Sequence, residues 1–416
     1  MRRVTFGIVS VVIGVAIALA CFEVFAIAWL SWQDKAYIPA TERFNRLQNT
    51  YVREATNAAG CTYADTLFPH PYLAFVHHDI PPCGLKHISN AGLTGDDFPS
   101  VKRTDRYVIL LTGGSVAAQL GQVEPRPAPR YLEEELNAHY ISPTGKPFQV
   151  INGGDGAWKQ PQQLILFALY SNVVDAVVTL DGYNEVLMMN DLQTQRLERP
   201  ALNFLEVNPI AAQDGFGNVV VSWLAGRIAG AIGHHGVLAH SHAAYLIVKA
   251  VEQSAKGGGQ FRSGGTVVFD KMYEIPLESR SGPSAVMDFQ LAQYGRYIRL
   301  MSAIAREEGV KAAFFLQPVP AIGKTLTDAE KQVNPDLRYG EHYREVVRTL
   351  RKLREHGIAV FDILDVFAEE KGTIYADDVH PYRAPGGESR GYRLIAARMA
   401  RDIANAWGLK SKAGPD

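Results

Sequence analysis

The sequence carries almost no net charge. Lys and Arg number 42 against 43 Asp and Glu, which leaves a formal net charge of −1 over 416 residues. Proteins that bind nucleic acid through a broad electrostatic footprint have a clear positive excess. This balance gives no support for a nucleic-acid partner, and we expect none. Partners must therefore be inferred from local features.

Long apolar runs are also few, and only the N-terminus has one that can cross a bilayer. The stretch Val4–Phe22 is uncharged, and apolar residues continue to Leu30. A cleaved signal peptide has a shorter apolar region that ends at a small-residue site, so residues 1–34 are predicted to be a retained signal anchor. Arg2 and Arg3 precede the run, which predicts a bacterial inner-membrane protein with its C-terminal domain in the periplasm.

Cysteine is scarce, with three residues in the chain. Cys61 and Cys83 lie in the part predicted to be exported, where oxidising conditions permit a bridge. We expect a disulfide between them, with two unpaired buried thiols as the alternative. Cys21 ends "ALAC", which loosely resembles a lipobox, but the apolar run continues past it and favours the signal anchor.

The sequence has no histidine cluster with the tight spacing of a zinc site. His70, His77, His78 and His87 stand near the cysteines without such spacing. A second group of histidines follows an apolar stretch and contains His234, His235, His240 and His242. No carboxylate or cysteine lies between them, which favours a polar helix cap over a metal site. We therefore expect no metal and no cofactor.

From about residue 105 the chain alternates short, β-rich apolar runs with segments of helical spacing. The runs are Tyr107–Thr112, Phe148–Ile151, Ala176–Leu180, Ala312–Leu316 and Ile358–Ile363. The clearest helical face contains Leu291, Tyr294, Ile298, Met301 and Ala305. This alternation predicts an α/β domain over 105–408, with a parallel sheet of five strands covered on both faces.

Two other segments do not follow this alternation. Residues 35–104 are rich in turn formers and are predicted to be an irregular connection between anchor and domain. Residues 187–284 are predicted to be an insertion. Its apolar stretch 219–233 is short and interrupted by Arg227, so we expect a helix that packs within the domain or against the bilayer surface. Its aromatic residues are consistent with core packing or with a carbohydrate-binding accessory domain.

Four short motifs stand where the predicted strands end: "TGGSVA", "NGGDGAW", "DGYNEV" and "YADDVH". Each is ordinary alone, since a Ser after Gly-Gly is usually a helix N-cap. In parallel α/β sheets, however, ligands bind at the carboxyl ends of the strands. A serine, backbone donors, an asparagine and an Asp-x-x-His are therefore predicted to meet at one edge.

The order of these motifs resembles the SGNH hydrolases, also called the GDSL family, from about Arg106 to Arg401. The resemblance implies a flavodoxin-like three-layer α/β/α sandwich. It also implies Ser115 as the nucleophile, His380 as the general base and Asp377 as the residue that orients His380, because the Asp-x-x-His spacing selects Asp377 over Asp378. The stretches "HPYLAF", "FFLQP" and "GKTLTDAEK" look like membrane-anchored bacterial members.

The same resemblance implies an oxyanion hole. Its donors would be the backbone N–H of Ser115, a backbone N–H of Gly156 or Ala157, and the side-chain amide of Asn184. The sequence departs from the family pattern at Gly114, where an Asp is usual, and at Ala157, where a Gly is usual. The connection after His380 is also longer than usual.

These features predict a membrane-anchored periplasmic serine esterase or acyltransferase. Its substrate would be an ester, such as an acetyl ester, of an envelope glycan or lipid, because those molecules share its predicted location. The alternative is an SGNH-like structural subunit of a membrane protein complex with little or no catalytic activity.

Overall fold

The computed structural model describes residues 2–48, 66–78, 87–121, 130–190, 237–257, 283–384 and 388–412. Spatial contacts divide the chain into two units. The anchor unit contains residues 1–65 and 208–268, and the sheet unit contains residues 66–207 and 269–416. Cys61, Cys83 and the apolar stretch 219–233 lie outside the described residues, so the disulfide stays a prediction.

The described residues form nine strands and eleven α-helices. The strands are β1 (Leu67–His70), β2 (Ala74–His77), β3 (Tyr107–Gly113), β4 (Tyr140–Ile141), β5 (Phe148–Gly154), β6 (Ala176–Asp181), β7 (Lys311–Leu316), β8 (Val360–Asp362) and β9 (Lys410–Ser411). The α-helices are α1 (Arg2–Asp34), α2 (Ala40–Gln48), α3 (Ser115–Gly121), α4 (Tyr131–His139), α5 (Gln162–Tyr170), α6 (Tyr183–Asn190), α7 (His242–Gly257), α8 (Pro283–Glu307), α9 (Asp328–Val333), α10 (Tyr339–Arg351) and α11 (Arg390–Trp407). Short 3-10 helices cover Val237–His240 and Lys352–His356.

The anchor unit is built around α1, which is long and apolar enough to cross a membrane. Within Ile13–Asp34 the mean hydropathy reaches 2.3. Helix α7 packs on α1, and the side chain of Glu23 accepts hydrogen bonds from the N–H groups of His242 (2.6 Å) and Ala243 (3.0 Å) at the start of α7. The carboxylate thereby satisfies N–H groups that no helical carbonyl can reach. Tyr245 of α7 is buried against Phe44 of α2, which makes it a core residue.

The sheet unit contains a parallel sheet with the strand order β5-β3-β6-β7-β8. Counted along the chain this order is 2-1-3-4-5, which is the flavodoxin-like arrangement. Strands β3 and β6 are buried at every residue, as expected for strands covered on both faces. The predicted five-stranded α/β fold is confirmed. Strand β5 continues beyond the predicted end at Ile151, because Asn152–Gly154 still pair with Leu111–Gly113.

Helices cover the sheet in two groups. Helices α4 and α11 pack together, while α8 contacts both α5 and α10. Right-handed crossovers on either side of the strand-order reversal place such groups on opposite faces. The predicted face of α8 is confirmed, since its five residues are all buried: Leu291, Tyr294, Ile298, Met301 and Ala305.

Residues 66–78 form an antiparallel hairpin within the segment that the sequence predicts as irregular. The turn formers of "FPHPY" close this hairpin, because Nδ1 of His70 accepts the N–H groups of Tyr72 (3.2 Å) and Leu73 (3.1 Å). The hairpin belongs to the sheet unit, where Gln162 at the start of α5 donates to the carbonyl of Leu73 (2.7 Å).

Candidate active site

Ser115 lies at the carboxyl edge of the sheet, where β3 ends and α3 begins. The close approach of the neighbouring backbone requires a glycine at Gly113, and Gly114 leaves room for the side chain of Asn184. A Cβ on Gly113 would lie 2.1 Å from the carbonyl oxygen of Leu180, and one on Gly114 would lie 2.4 Å from Nδ2 of Asn184. Gly114 therefore allows Asn184 to approach the turn that carries Ser115, and an Asp here would force Asn184 to move.

Ser115, His380 and Asp377 form a hydrogen-bonded chain. Nε2 of His380 is 2.7 Å from Oγ of Ser115, and Nδ1 of the same ring is 2.8 Å from Oδ2 of Asp377. The serine is half-buried and the imidazole is 20% exposed, so both groups are accessible from solvent. The structure thus brings together the three residues for which the resemblance implies the roles of nucleophile, base and orienting carboxylate.

Asp377 is fixed by its own loop. Oδ1 accepts the N–H groups of Val379 (2.9 Å) and His380 (2.7 Å) as well as contacting the His380 ring. Burial raises the pKa of Asp377, but these hydrogen bonds and the nearby imidazole outweigh it and hold the pKa below its ordinary value. Asp378 instead accepts a hydrogen bond from the hydroxyl of Tyr183 at 2.7 Å.

Asp377, Asp378 and His380 are close enough together to be considered as metal ligands. Both ring nitrogens of His380 are already engaged, one by Ser115 and one by Asp377. This arrangement suits proton transfer through the imidazole rather than coordination. The absence of a metal stays a prediction.

The loop that carries Asp377 and His380 is supported from α9, a contribution that sequence reasoning missed. One carboxylate oxygen of Glu330 accepts the N–H groups of Ile374 (2.7 Å) and Tyr375 (3.0 Å), and Nδ2 of Asn334 donates to the carbonyl of Asp377 (3.0 Å). The available signal was the Thr-x-x-Glu pattern in "GKTLTDAEK", which is a capping box. The structure contains that box at Thr327 and Glu330.

Glu330 also forms an enclosed ion pair. Its Oε2 lies 2.8 Å from Nζ of Lys324, and neither side chain is exposed to solvent. Burial raises the pKa of Glu330, but the ammonium and the backbone N–H donors outweigh it and lower the pKa to about 2. The carboxylate is therefore ionised across the range in which the site would operate.

The second predicted oxyanion element is a tight turn after β5. The N–H of Trp158 donates to the carbonyl of Asp155 (3.3 Å), and Ala157 stands at the third position with a φ of 59°. A positive φ at this position is the mark of a type II turn and favours glycine. Gly156 donates its N–H to the carboxylate of Asp155 (2.7 Å), so the Ala157 N–H is the better candidate for an oxyanion donor.

Asn184 lies at the start of α6, next to this turn. Its Nδ2 donates to the carbonyl of Trp158 (2.7 Å) and faces the backbone of Gly114. An amide nitrogen carries a second N–H, which is the group the resemblance assigns to the oxyanion. The following residue, Glu185, accepts the N–H groups of Gln160 (2.9 Å) and Gly182 (2.8 Å), which ties the two turns together.

Replacing Ala157 by Gly should raise the free energy of unfolding. A non-glycine residue at a φ of 59° is strained by about 1 kcal/mol, and the change removes this strain at a smaller entropic cost in the unfolded chain. Denaturant unfolding of the full-length protein in detergent measures the difference. Leu169→Gly in the last turn of α5 is the control, where loss of the side chain should lower stability; a decrease for Ala157→Gly as well would contradict the expected relief of strain.

No family model matches the sequence, and no curated protein matches it either. Among solved structures, a GDSL-like lipase from Bacteroides thetaiotaomicron is 11% identical, with 73% of this chain and 89% of that chain covered and a TM-score of 0.32. A catalytic mutant of an acetylxylan esterase from Geobacillus stearothermophilus is 14% identical, with 73% of this chain and 95% of that chain covered and a TM-score of 0.34. TM-scores this low do not establish a shared fold.

The fold is assigned from the chain's own topology and site. The order 2-1-3-4-5 places Ser115 and Asn184 after β3 and β6, the neighbouring strands at which the direction of winding changes. The loop between β8 and α11 brings His380 to Ser115 at the same edge. This strand order is the flavodoxin-like fold, and Ser115, Asn184 and His380 lie where the resemblance to SGNH/GDSL hydrolases predicts them.

Proposed function

We propose that this protein is a membrane-anchored serine esterase or acyltransferase. The observation that carries the proposal is the hydrogen-bonded chain from Ser115 through His380 to Asp377, with 2.7 Å between Oγ and Nε2. A serine hydroxyl is a weak nucleophile until a neighbouring base accepts its proton. An imidazole held between a hydroxyl and a carboxylate supplies that base in the correct tautomer.

The reaction proceeds in two acyl transfers. His380 accepts the proton of Ser115 as Oγ attacks the ester carbonyl, and the resulting oxyanion receives hydrogen bonds from the N–H groups of Ser115 and Ala157 and from the amide of Asn184. The imidazolium then donates its proton to the departing alcohol, which leaves an acyl-serine. Water attacks this intermediate in an esterase, and an acceptor hydroxyl attacks it in a transferase, with His380 again as the base. The bond between the acyl carbon and Oγ then breaks, and the imidazolium returns the proton to Ser115.

The proposed location is the periplasmic face of a bacterial inner membrane. The length and composition of α1 support an anchor, and Arg2 and Arg3 support a cytoplasmic N-terminus. An acylated envelope glycan or lipid is the proposed substrate, since such molecules occur at that face. We also propose that the protein has partners in a membrane protein complex.

A fluorophosphonate probe tests the nucleophile. Oγ of Ser115 would displace fluoride from phosphorus and become covalently labelled, so we expect the wild type to be labelled and Ser115→Ala to remain unlabelled. Ser302→Ala is the matched control, because Ser302 is a half-buried serine on α8, and it should be labelled like the wild type.

The same measurement separates the enzyme from the structural subunit. If folded wild-type protein is not labelled, Ser115 is not an activated nucleophile and the structural role is favoured. Labelling that persists in Ser115→Ala would assign the reactive group to another residue. Mass spectrometry of the labelled peptide identifies the residue in either case.

A further inference from the structure

A second histidine and carboxylate pair lies in the sheet unit, apart from the three residues of the proposed mechanism. Nε2 of His77 is 3.0 Å from Oδ1 of Asp155, and Nδ1 of the same ring is 2.9 Å from Oγ1 of Thr66. His77 ends β2, and Asp155 directly follows β5. The hairpin before the sheet is thus joined to the turn that holds Gly156 and Ala157.

Thr66, His77 and Asp155 place a hydroxyl, an imidazole and a carboxylate in series, as in a catalytic triad, but a substrate cannot reach them. Thr66, His77 and Asp155 are 2%, 4% and 4% exposed. A nucleophile must be reachable by the carbonyl that it attacks. The role of this second pair therefore lies in what it holds in place.

Asp155 is the residue through which the pair acts. It opens the turn of residues 155–158, its carbonyl accepts the N–H of Trp158, and its Oδ1 accepts the N–H of Gly156 at 2.7 Å. Its own N–H donates to the carbonyl of Gly113 (3.3 Å), which lies two residues before Ser115. A displacement of Asp155 would therefore move the turn relative to the nucleophile.

This turn needs external support. Ala157 has a φ of 59°, a conformation that a non-glycine residue keeps only when its surroundings hold it. His77 is itself held, because its backbone N–H donates to the carbonyl of Gly92 (2.6 Å) and its ring contacts Oγ1 of Thr66 (2.9 Å). A rigid group thus contacts the start of a strained turn.

Charge strengthens the contact. Burial lowers the pKa of His77, but the charge of Asp155 and its hydrogen bond outweigh burial and place the pKa above its ordinary value. The two side chains are 3% and 5% exposed, so removal of the imidazole would take a hydrogen-bond partner from an enclosed carboxylate. Asp155 would then turn towards other donors and carry the turn with it.

We infer that His77 is a positioning residue, which acts through Asp155 to hold the turn of residues 155–158 so that the Ala157 N–H points at the oxyanion. This inference rests on the proposed function. Because the oxyanion exists only in the transition state and in the tetrahedral intermediate, a displaced donor lowers kcat and leaves ground-state binding unchanged.

Two amide variants test this role, because they differ in the partner that they can reach. The nitrogen of Gln extends to the position of Nε2, so His77→Gln keeps a donor at Asp155. The shorter side chain of Asn reaches only the position of Nδ1, so His77→Asn keeps the contact with Thr66 and loses Asp155. His78→Asn is the control, since His78 is the next residue and is exposed.

The assay uses full-length protein in detergent with p-nitrophenyl acetate. We expect kcat of His77→Asn to fall by about 10- to 100-fold with KM unchanged, since misplacing or losing one oxyanion donor has effects of this order. The affinity of a boronic acid inhibitor, which forms a tetrahedral adduct on Ser115, should fall by the same factor. His77→Gln and His78→Asn should retain most of the wild-type kcat.

Each contrary result has a definite meaning. Equal kcat values for His77→Asn and His77→Gln overturn the inference, as does a loss expressed in KM alone. A kcat loss in His77→Asn that is accompanied by loss of the folded state in thermal unfolding shows a purely structural role and also overturns it. If the wild type neither hydrolyses the ester nor reacts with fluorophosphonate, the proposed function itself fails.

Discussion

His380→Ala should lower kcat for ester hydrolysis by about 10⁴-fold or more, and adding Ser115→Ala to it should lower kcat no further. In the proposed mechanism the nucleophile and the base act as one unit, since Nε2 of His380 is 2.7 Å from Oγ of Ser115. Once the base is lost, the serine no longer contributes, and the remaining rate comes from the oxyanion donors and substrate binding. A double variant with the product of the two single losses would contradict this coupling.

His356→Ala is the control for the histidine substitution. His356 is exposed on the 3-10 helix Lys352–His356, and its replacement should leave kcat unchanged. The measurement is the steady-state hydrolysis of p-nitrophenyl acetate by full-length protein, with circular dichroism spectra that show each variant to be folded. The residual activity of His380→Ala must be distinguished from the uncatalysed rate by subtraction of a protein-free reaction.

Glu330→Ala should lower the free energy of unfolding by about 3 kcal/mol or more. The substitution leaves Lys324 enclosed without its partner, because neither side chain of the pair is exposed. It also removes the acceptor of the N–H groups of Thr327, Ile374 and Tyr375. An unpaired buried charge and unpaired N–H donors each carry a desolvation penalty.

A surface ion pair on the same helix provides the control. Asp328 and Lys331 lie 2.9 Å apart with side chains 98% and 63% exposed. Asp328→Ala should change stability by no more than about 1 kcal/mol, as is usual for exposed pairs. Denaturant unfolding in detergent compares the two variants, and equal losses would contradict the distinction between enclosed and exposed pairs.

The same carboxylate predicts a pH dependence of stability. The pKa of Glu330 is lowered from 4.5 to about 2, so its contribution is fully present above the unfolded-state value and is lost as the pH falls through the folded-state value. Unfolding of the wild type should therefore become easier as the pH falls from about 4.5 towards 2. Glu330→Gln should show a weaker dependence across this interval, and an unchanged slope would assign the dependence to other groups.

The sheet and its site residues were accessible to sequence reasoning for a physical reason. Apolar runs between turn formers predict buried parallel strands, and parallel strands end at a common edge. The residues directly after those runs, among them Ser115 and Asn184, must therefore lie near one another. The resemblance to SGNH hydrolases added the roles, and the structure brings Ser115, His380 and Asp377 within hydrogen-bond distance.

Contacts between segments that are distant in the chain could not be predicted from apolar runs and strand ends. His77 and Asp155 are 78 residues apart, and Glu330 and Ile374 are 44 apart, with no repeat or spacing that relates them. Ala157 departs from the family pattern, but only the fold shows that its backbone takes the left-handed conformation. A side chain's partner depends on how whole elements pack, which local pattern does not contain.

Hydrophobic periodicity and chain direction were enough to predict the apolar N-terminal helix, the parallel sheet and the common edge at which Ser115 and Asn184 lie, because those features depend on local pattern. The contacts that hold this edge in place depend instead on how the elements pack. Packing brings His77 to Asp155, Glu330 to the loop of His380, and Asn184 to the bare backbone of Gly114. Those contacts arise when elements distant in the chain are packed into one core.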